Sequence, residues 1–250
     1  IARRIAHEIK NPLTPIQLSA ERLKRKYAAS ITQDRETFEK LTDTIVRQVD
    51  DLKRMVNEFA EFARMPKPQI QLADLREAVQ EPVIQYRETH PAIDYALFIP
   101  KQPVLTACDQ RMISQAVTNL TKNATEAIEQ AMSAPDREPD YKGRVETHLR
   151  NDGGRILIEV IDNGVGLPKQ DRMRLTEPYN TTKGVKGTGL GLAIVQKITE
   201  HHGGRLDLED APPGPGRKRG ALVRITLPAR RAQEASQATP APAVADAATA

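Results

Sequence analysis

Apolar residues at the start of the chain recur every three or four positions: Ile5, Ile9, Leu13, Ile16, Ala20, Leu23 and Tyr27. That is the repeat of one face of an α-helix, so the spacing predicts an amphipathic helix over 1–27, interrupted by Pro12 and Pro15. A second stripe of Phe38, Leu41, Ile45, Val49, Leu52, Val56, Phe59 and Ala63 predicts a helix over 34–64, stopped by Met65-Pro66-Lys67-Pro68. Two helices with one apolar stripe each cannot bury both stripes against each other. A four-helix bundle made by two copies of the hairpin can, so the pattern predicts a homodimer.

Beyond the prolines, short apolar runs alternate with helical patterns, which marks a separate unit of mixed helices and strands. The pattern predicts a helix over 74–86, strands over 95–99 and 104–108, and a long helix over 109–132 capped by Asp109. A loop rich in proline and charge follows over 133–143. Strands over 145–150 and 155–161 are joined by Asn151-Asp152-Gly153-Gly154, a strong hairpin signal. A long loop then leads to Gly189, a helix runs to His202 and stops at Gly203-Gly204, and strands over 206–209 and 221–227 close the unit. From 229 onward Ala, Pro, Gln and Thr dominate, which predicts a disordered tail over 229–250. The organisation expected is a helical domain at 1–66, a linker at 67–69, an α/β domain at 70–228 and the tail, in the α+β class.

Composition narrows the possibilities. With 39% hydrophobic and 28% charged residues, the 250-residue chain has the make-up of a globular protein, and 4% aromatics with no Trp point to aliphatic, helix-rich cores. No run approaches the roughly 18 apolar residues of a membrane span, so this stretch is expected to make no membrane contact. No leader pattern is visible, and the opening on Ile1 inside a helical stripe reads as a fragment of a longer chain. The single Cys108 can form neither an internal disulfide nor a metal cluster, which fits a reducing compartment. The net charge of +4 is spread along the chain without basic runs interleaved with aromatics, so no nucleic-acid partner is expected.

Candidate chemistry falls in three segments of the second unit. Asn119-Leu120-Thr121-Lys122-Asn123-Ala124 places two amides one helical turn apart, and an amide oxygen is a natural hard ligand for Mg²⁺. Asp162-Asn163-Gly164-Val165-Gly166-Leu167 directly follows a strand and presents a carboxylate able to accept from an exocyclic amine such as that of adenine. Lys183-Gly184-Val185-Lys186-Gly187-Thr188-Gly189-Leu190-Gly191 opens a helix, where glycines let phosphates approach the backbone and the helix N-terminus favours anions. Taken singly, each has a bland explanation as solvated helix surface, an Asp-Asn-Gly turn or a flexible loop.

Together and in this order, the segments resemble the asparagine box and two glycine boxes of the GHKL ATPases. The resemblance implies a Bergerat-type α/β sandwich that binds ATP, with Asn123 as the Mg²⁺ ligand, Asn119 beside the phosphates and Asp162 holding the adenine amine. Gly164 and Gly166 would shape the base pocket. Residues 167–188 would form the ATP lid, with Lys183 on phosphate and Gly187, Thr188, Gly189, Leu190 and Gly191 closing around the nucleotide. Tyr179 stands in that lid where many histidine kinases carry phenylalanine.

On the first helix, His7 lies two residues from both Ile5 and Ile9, a rotation of about 200° that turns it off the apolar stripe. A neutral imidazole is a competent nucleophile, Glu8 is placed to take a ring proton, and Asn11 follows one turn on. His7-Glu8-Ile9-Lys10-Asn11-Pro12-Leu13 resembles the phosphoacceptor box of histidine-kinase dimerisation domains, and the stretch to Arg25 is most similar to the NtrY-type nitrogen-regulation sensor kinases. That resemblance implies a kinase that phosphorylates His7 from Mg-ATP, with Glu8 assisting. It passes the group to an aspartate of a response-regulator receiver domain, and Asn11 supports the reverse phosphatase step. It also implies the cytoplasmic portion of a sensor anchored in the inner membrane. Two other readings are a GHKL ATPase that hydrolyses ATP to drive conformational change, and a non-enzymatic dimeric scaffold. His201 and His202, at a helix end where cations meet the dipole, are expected to be structural.

Overall fold

The computed structural model describes residues 2–31, 33–63, 65–169, 171–178, 180, 189–214 and 217–229, with backbone alone for 2–5, 7, 61 and 173. The chain divides into two compact units, Ile1–Pro66 with Leu175–Leu190, and Lys67–Arg174 with Gly191–Ala250. The expected disordered tail lies, from residue 230 on, outside the described residues.

In the first unit, α1 (Ala2–Tyr27) and α2 (Arg35–Ala63) pack as a hairpin. α1 is not interrupted by its prolines: Pro12 and Pro15 both lie inside one helix. Each proline removes a single backbone donor, and the pairing of the two helices along their length holds the rest of the turns. Lys24, Arg25 and Lys26 occupy the last turn, where positive charge meets the negative end of the helix dipole. The seam between the helices buries Ala6, Leu13 and Ala20 against Thr42, Val49 and Val56. Lys24 reaches Asp43 at 2.6 Å, and Lys53 donates to Gln17. Much of the predicted apolar stripe stays outside this seam. Ile9, Ile16, Leu23 and Tyr27 of α1 and Leu41, Ile45 and Leu52 of α2 are exposed in the single chain.

The second unit is a two-layer sandwich. Its mixed sheet has the order β2-β4-β5-β7-β6, from β2 (Ile93–Phe98), β4 (Gly143–Asp152), β5 (Arg155–Asp162), β7 (Ala221–Pro228) and β6 (Arg205–Asp210). Only β2 and β4 run parallel. α3 (Leu75–Thr89), α4 (Gln110–Met132) and α5 (Gly191–His201) form the other layer. The core between them holds Val79, Ile113, Leu120, Ile128, Ile198, Leu149, Ile158 and Ile225, all essentially inaccessible to solvent. Along β4 the alternation is strict: Val145, Thr147 and Leu149 face the helices, while on the opposite face Glu146 and Arg150 carry ion pairs to Arg217 and Glu159, with His148 3.6 Å from Glu146.

Both residues of the β4–β5 turn, Gly153 and Gly154, have positive φ (55° and 96°), so the hairpin uses the tight two-residue turn matched to strand twist. One strand escaped the periodicity reading. β1 (Gln71–Asp74) pairs with β3 (Leu105–Cys108) in a separate antiparallel ribbon. His202, just beyond α5, is buried: its Nε2 accepts the Asp109 N–H at 3.0 Å while its Nδ1 donates to Ile198 O at 2.7 Å. It is structural as expected, but as a neutral ring that accepts a backbone hydrogen bond and not as a cation on the dipole.

Candidate functional site

In the first unit, α1 carries His7, Glu8 and Asn11 within its first turns. The His7 side chain lies outside the described residues; Glu8 and Asn11 are exposed, and Ala6 and Leu13 beside them are buried in the hairpin seam.

In the second unit, α4 begins at Asp109, whose Oδ1 accepts the N–H groups of Arg111 (3.2 Å) and Met112 (3.3 Å). The helix then presents Asn119 and Asn123 one turn apart, both partly exposed. Asn119 Nδ2 donates back to Gln115 O at 3.1 Å, which orients the amide and turns its oxygen outward. That oxygen lies 3.8 Å, and the two polar atoms of Asn123 3.5 and 3.6 Å, from where a Cβ on Gly191 would stand. Gly191 is the first residue of α5, so the two amides converge on a helix N-terminus kept open by the lack of a side chain. Gly189 just before it takes φ 68°, and Leu190 between them is fully buried.

β5 delivers Asp162 to the same end of the sheet. Its side chain is buried, and its Oδ1 accepts the N–H groups of Gly164 (2.8 Å) and Ala221 (3.3 Å). A Cβ on Gly164 would stand 2.5 Å from the Ala127 carbonyl carbon, and the Val165 N–H donates to Ala127 O at 3.3 Å. Only glycine lets the strand end lie this close to α4. Gly166 turns the chain at φ 78°, and a Cβ there would stand 3.3 Å from the Gly220 carbonyl oxygen. The structure therefore sets Gly164, two residues after Asp162, against Ala127 of α4 and Gly166 beside Gly220, and gathers Asn119 and Asn123 of α4 around Gly191. Lys183, Gly187, Thr188 and Tyr179 lie outside the described residues.

These residues fit a magnesium nucleotide. Among the described residues no cluster of three or more His, Cys, Asp or Glu could hold a metal, so an all-protein cage is not offered. Two amides at an open helix N-terminus suit an ion that keeps its waters and binds phosphates.

Two family models match the chain. That of the histidine kinase-, DNA gyrase B- and HSP90-like ATPases covers residues 108–231, and that of the His Kinase A (phospho-acceptor) domain covers residues 1–68. The chain belongs to the sensor histidine kinases. Within that family it is 53% identical, over 232 residues, to the nitrogen regulation protein NtrY of Azorhizobium caulinodans, a match covering 92% of this chain and 28% of that protein. The chain spans about a third or less of the length of the NtrY-type relatives it matches. Its fold is shared with full-length ShkA, solved with AMPPNP (TM-score 0.64, 23% identity, 92% of this chain and 46% of that one). It is also shared with histidine kinase ThkA, solved in complex with the response regulator protein TrrA (TM-score 0.62, 24% identity, 91% of this chain and 60% of that one). No helix among the described residues is long and apolar enough to cross a membrane.

Sequence reasoning missed residues that frame the site. Gly220 has no room for a Cβ, which would fall 1.9 Å from the Asp162 carbonyl oxygen. Tyr141 donates to the main-chain oxygen of Asn163 at 2.9 Å, next to Asp162. The signals were slight: a glycine just ahead of a strand, and the one aromatic ring in a charged loop.

Proposed function

We propose that this core phosphorylates His7 from Mg-ATP and hands the phosphoryl group to an aspartate of a response-regulator receiver domain. The observation that carries the reading is the convergence of Asn119 and Asn123 on the Gly191 helix start, beside buried Asp162, in a chain whose first helix bears the His7-Glu8-Ile9-Lys10-Asn11-Pro12-Leu13 box. Asp162 receives the exocyclic amine of the base. Asn123, with Asn119 beside it, holds Mg²⁺ against the phosphates, and the α5 N-terminus with Lys183 takes up their charge. Gly164, Gly166, Gly187, Thr188, Gly189 and Leu190 shape the cavity and its lid. Bound Mg²⁺ supplies charge neutralisation at the phosphates.

A ring nitrogen of His7 forms a bond to the γ-phosphorus as the bond to the bridging oxygen breaks, ADP departs, and Glu8 takes the ring proton. The segment 65–70, which joins the units without regular secondary structure, carries the movement that joins acceptor and donor. Asn11, Thr14, Leu18, Arg22 and Arg25 follow His7 at helical spacing and are exposed, Leu18 at 59%, so this face receives the receiver domain. Asn11 supports the return reaction that strips phosphate from the partner. The working form is a homodimer, the cytoplasmic part of a membrane-anchored nitrogen-regulation sensor, and the solved ThkA–TrrA complex supports the partner class.

Incubation with γ-labelled Mg-ATP tests this. Protein-bound label that is acid-labile and alkali-stable is expected, absent in His7→Ala while ADP binding persists. Asn123→Ala is expected to weaken Mg-dependent ADP binding by at least about tenfold. Free phosphate without labelled protein would point instead to a plain ATPase.

A further inference from the structure

The residue after Asp162 is built into a network that the phosphoryl-transfer scheme does not use. Asn163 is 7% exposed. Its Oδ1 accepts the Arg144 N–H at 2.8 Å and lies 3.3 Å from the Tyr141 hydroxyl, and its Nδ2 donates to Lys142 O at 2.7 Å. The Tyr141 hydroxyl donates to the Asn163 carbonyl oxygen at 2.9 Å. The loop after α4 is thus stapled to the peptide that carries the Asp162 carboxylate. On the other side, Gly220 lies so near that a Cβ there would fall 1.9 Å from the Asp162 carbonyl oxygen, and the Ala221 N–H donates to the Asp162 Oδ1.

We propose that Tyr141 and Asn163 are positioning residues that fix the orientation of the Asp162 carboxylate and so set the preference for an adenine over a guanine nucleotide. The inference rests on Asp162 holding the base amine, as proposed above. Adenine offers an N–H donor where guanine offers a carbonyl oxygen, so a fixed carboxylate accepts from the first and repels the second. Discrimination of that kind needs the acceptor oxygen held in place. Asp162 takes its direction from the Gly164 and Ala221 N–H bonds, and the first of these moves with the Asn163 peptide that Tyr141 anchors. Burial, then the negative charge of Asp162, push the Tyr141 phenol up to about 12, so it remains a donor across the working range of pH.

The test is calorimetric titration of the chain with Mg-ADP and Mg-GDP, alongside thermal unfolding, for the unaltered protein, Tyr141→Phe, Asn163→Asp and Asp162→Ala. Tyr141→Phe removes one oxygen, and Asn163→Asp keeps the acceptors while losing the donor to Lys142. Each is expected to weaken ADP binding about tenfold, the equivalent of one lost hydrogen bond, with GDP binding little changed, so the ADP:GDP ratio narrows. A lowered unfolding temperature with an unchanged ratio in both variants would reduce the network to a structural role and overturn the proposal. If the unaltered protein shows no preference for ADP, or Asp162→Ala leaves ADP affinity intact, the assignment of Asp162 itself fails and the proposal falls with it.

Discussion

Asp109 shows how much one side chain organises. Its Oδ2 accepts the Gln69 N–H at 2.9 Å, its Oδ1 caps α4, and its own N–H is held by His202. It ties the chain entering the second unit to the helix that bears Asn119 and Asn123. Burial works against its charge, but the N–H groups of Gln69 and Met112 and the nearby Arg111 outweigh it, holding the carboxyl below its ordinary value. Because the folded value lies below the unfolded one, this stabilisation is present above the unfolded carboxyl value of about 4 and is lost as pH falls through the lower folded value. Asp109→Ala is therefore expected to cost about 1–3 kcal/mol near neutrality. The gap from the unaltered protein should shrink once the pH drops below that of the free carboxyl. Urea unfolding at neutral and strongly acid pH measures it, and an equal gap at both would remove the charge from the account.

At the scale of elements, the seam between the end of β5 and α4 decides where Asp162 sits. Gly164→Ala would drive a methyl into the Ala127 backbone, so it is expected to cost about 1–3 kcal/mol and to weaken ADP binding with it. Gly153→Ala makes a control: its Cβ would meet nothing within 4 Å, and only the positive φ of 55° opposes it, at about 1 kcal/mol, with ADP affinity unchanged. Thermal unfolding with ADP titration separates the two, and intact ADP affinity in Gly164→Ala would mean that the seam does not position the carboxylate. The same seam marks the limit of sequence reading. The long helices, the β4–β5 hairpin and the spacing of Asn119 and Asn123 were legible because periodicity and turn chemistry are local. β1 was not, since four residues with one outward leucine pair with a strand some thirty positions away. That Asn163 closes around Tyr141, that Gly220 must lack a side chain, and that both amides meet at Gly191 are long-range facts, written only in the folded packing.

For the whole molecule, the exposed stripe of the hairpin demands a partner surface. Ile9, Ile16 and Leu23 repeat every seven residues on α1, as do Ile45 and Leu52 on α2, and each is more than two-fifths exposed in the single chain. Seven-residue apolar repeats are the seams of helical bundles, and fully burying one such side chain is worth about 1.5–3 kcal/mol. Several of them in two copies suffice for a stable dimer, whereas an isolated hairpin would leave them in water. Charges placed at that seam in Ile45→Asp combined with Leu52→Asp are expected to give a monomer in analytical ultracentrifugation where the unaltered chain sediments as a dimer. The described nucleotide candidates except Gly189 and Leu190 belong to the second unit, so the monomeric variant is expected to bind ADP as before. A variant that stays dimeric would place the interface on another face of the hairpin. Loss of ADP binding in a folded monomer would show that dimerisation shapes the nucleotide site, which the hydrogen bonds within the second unit give no reason to expect.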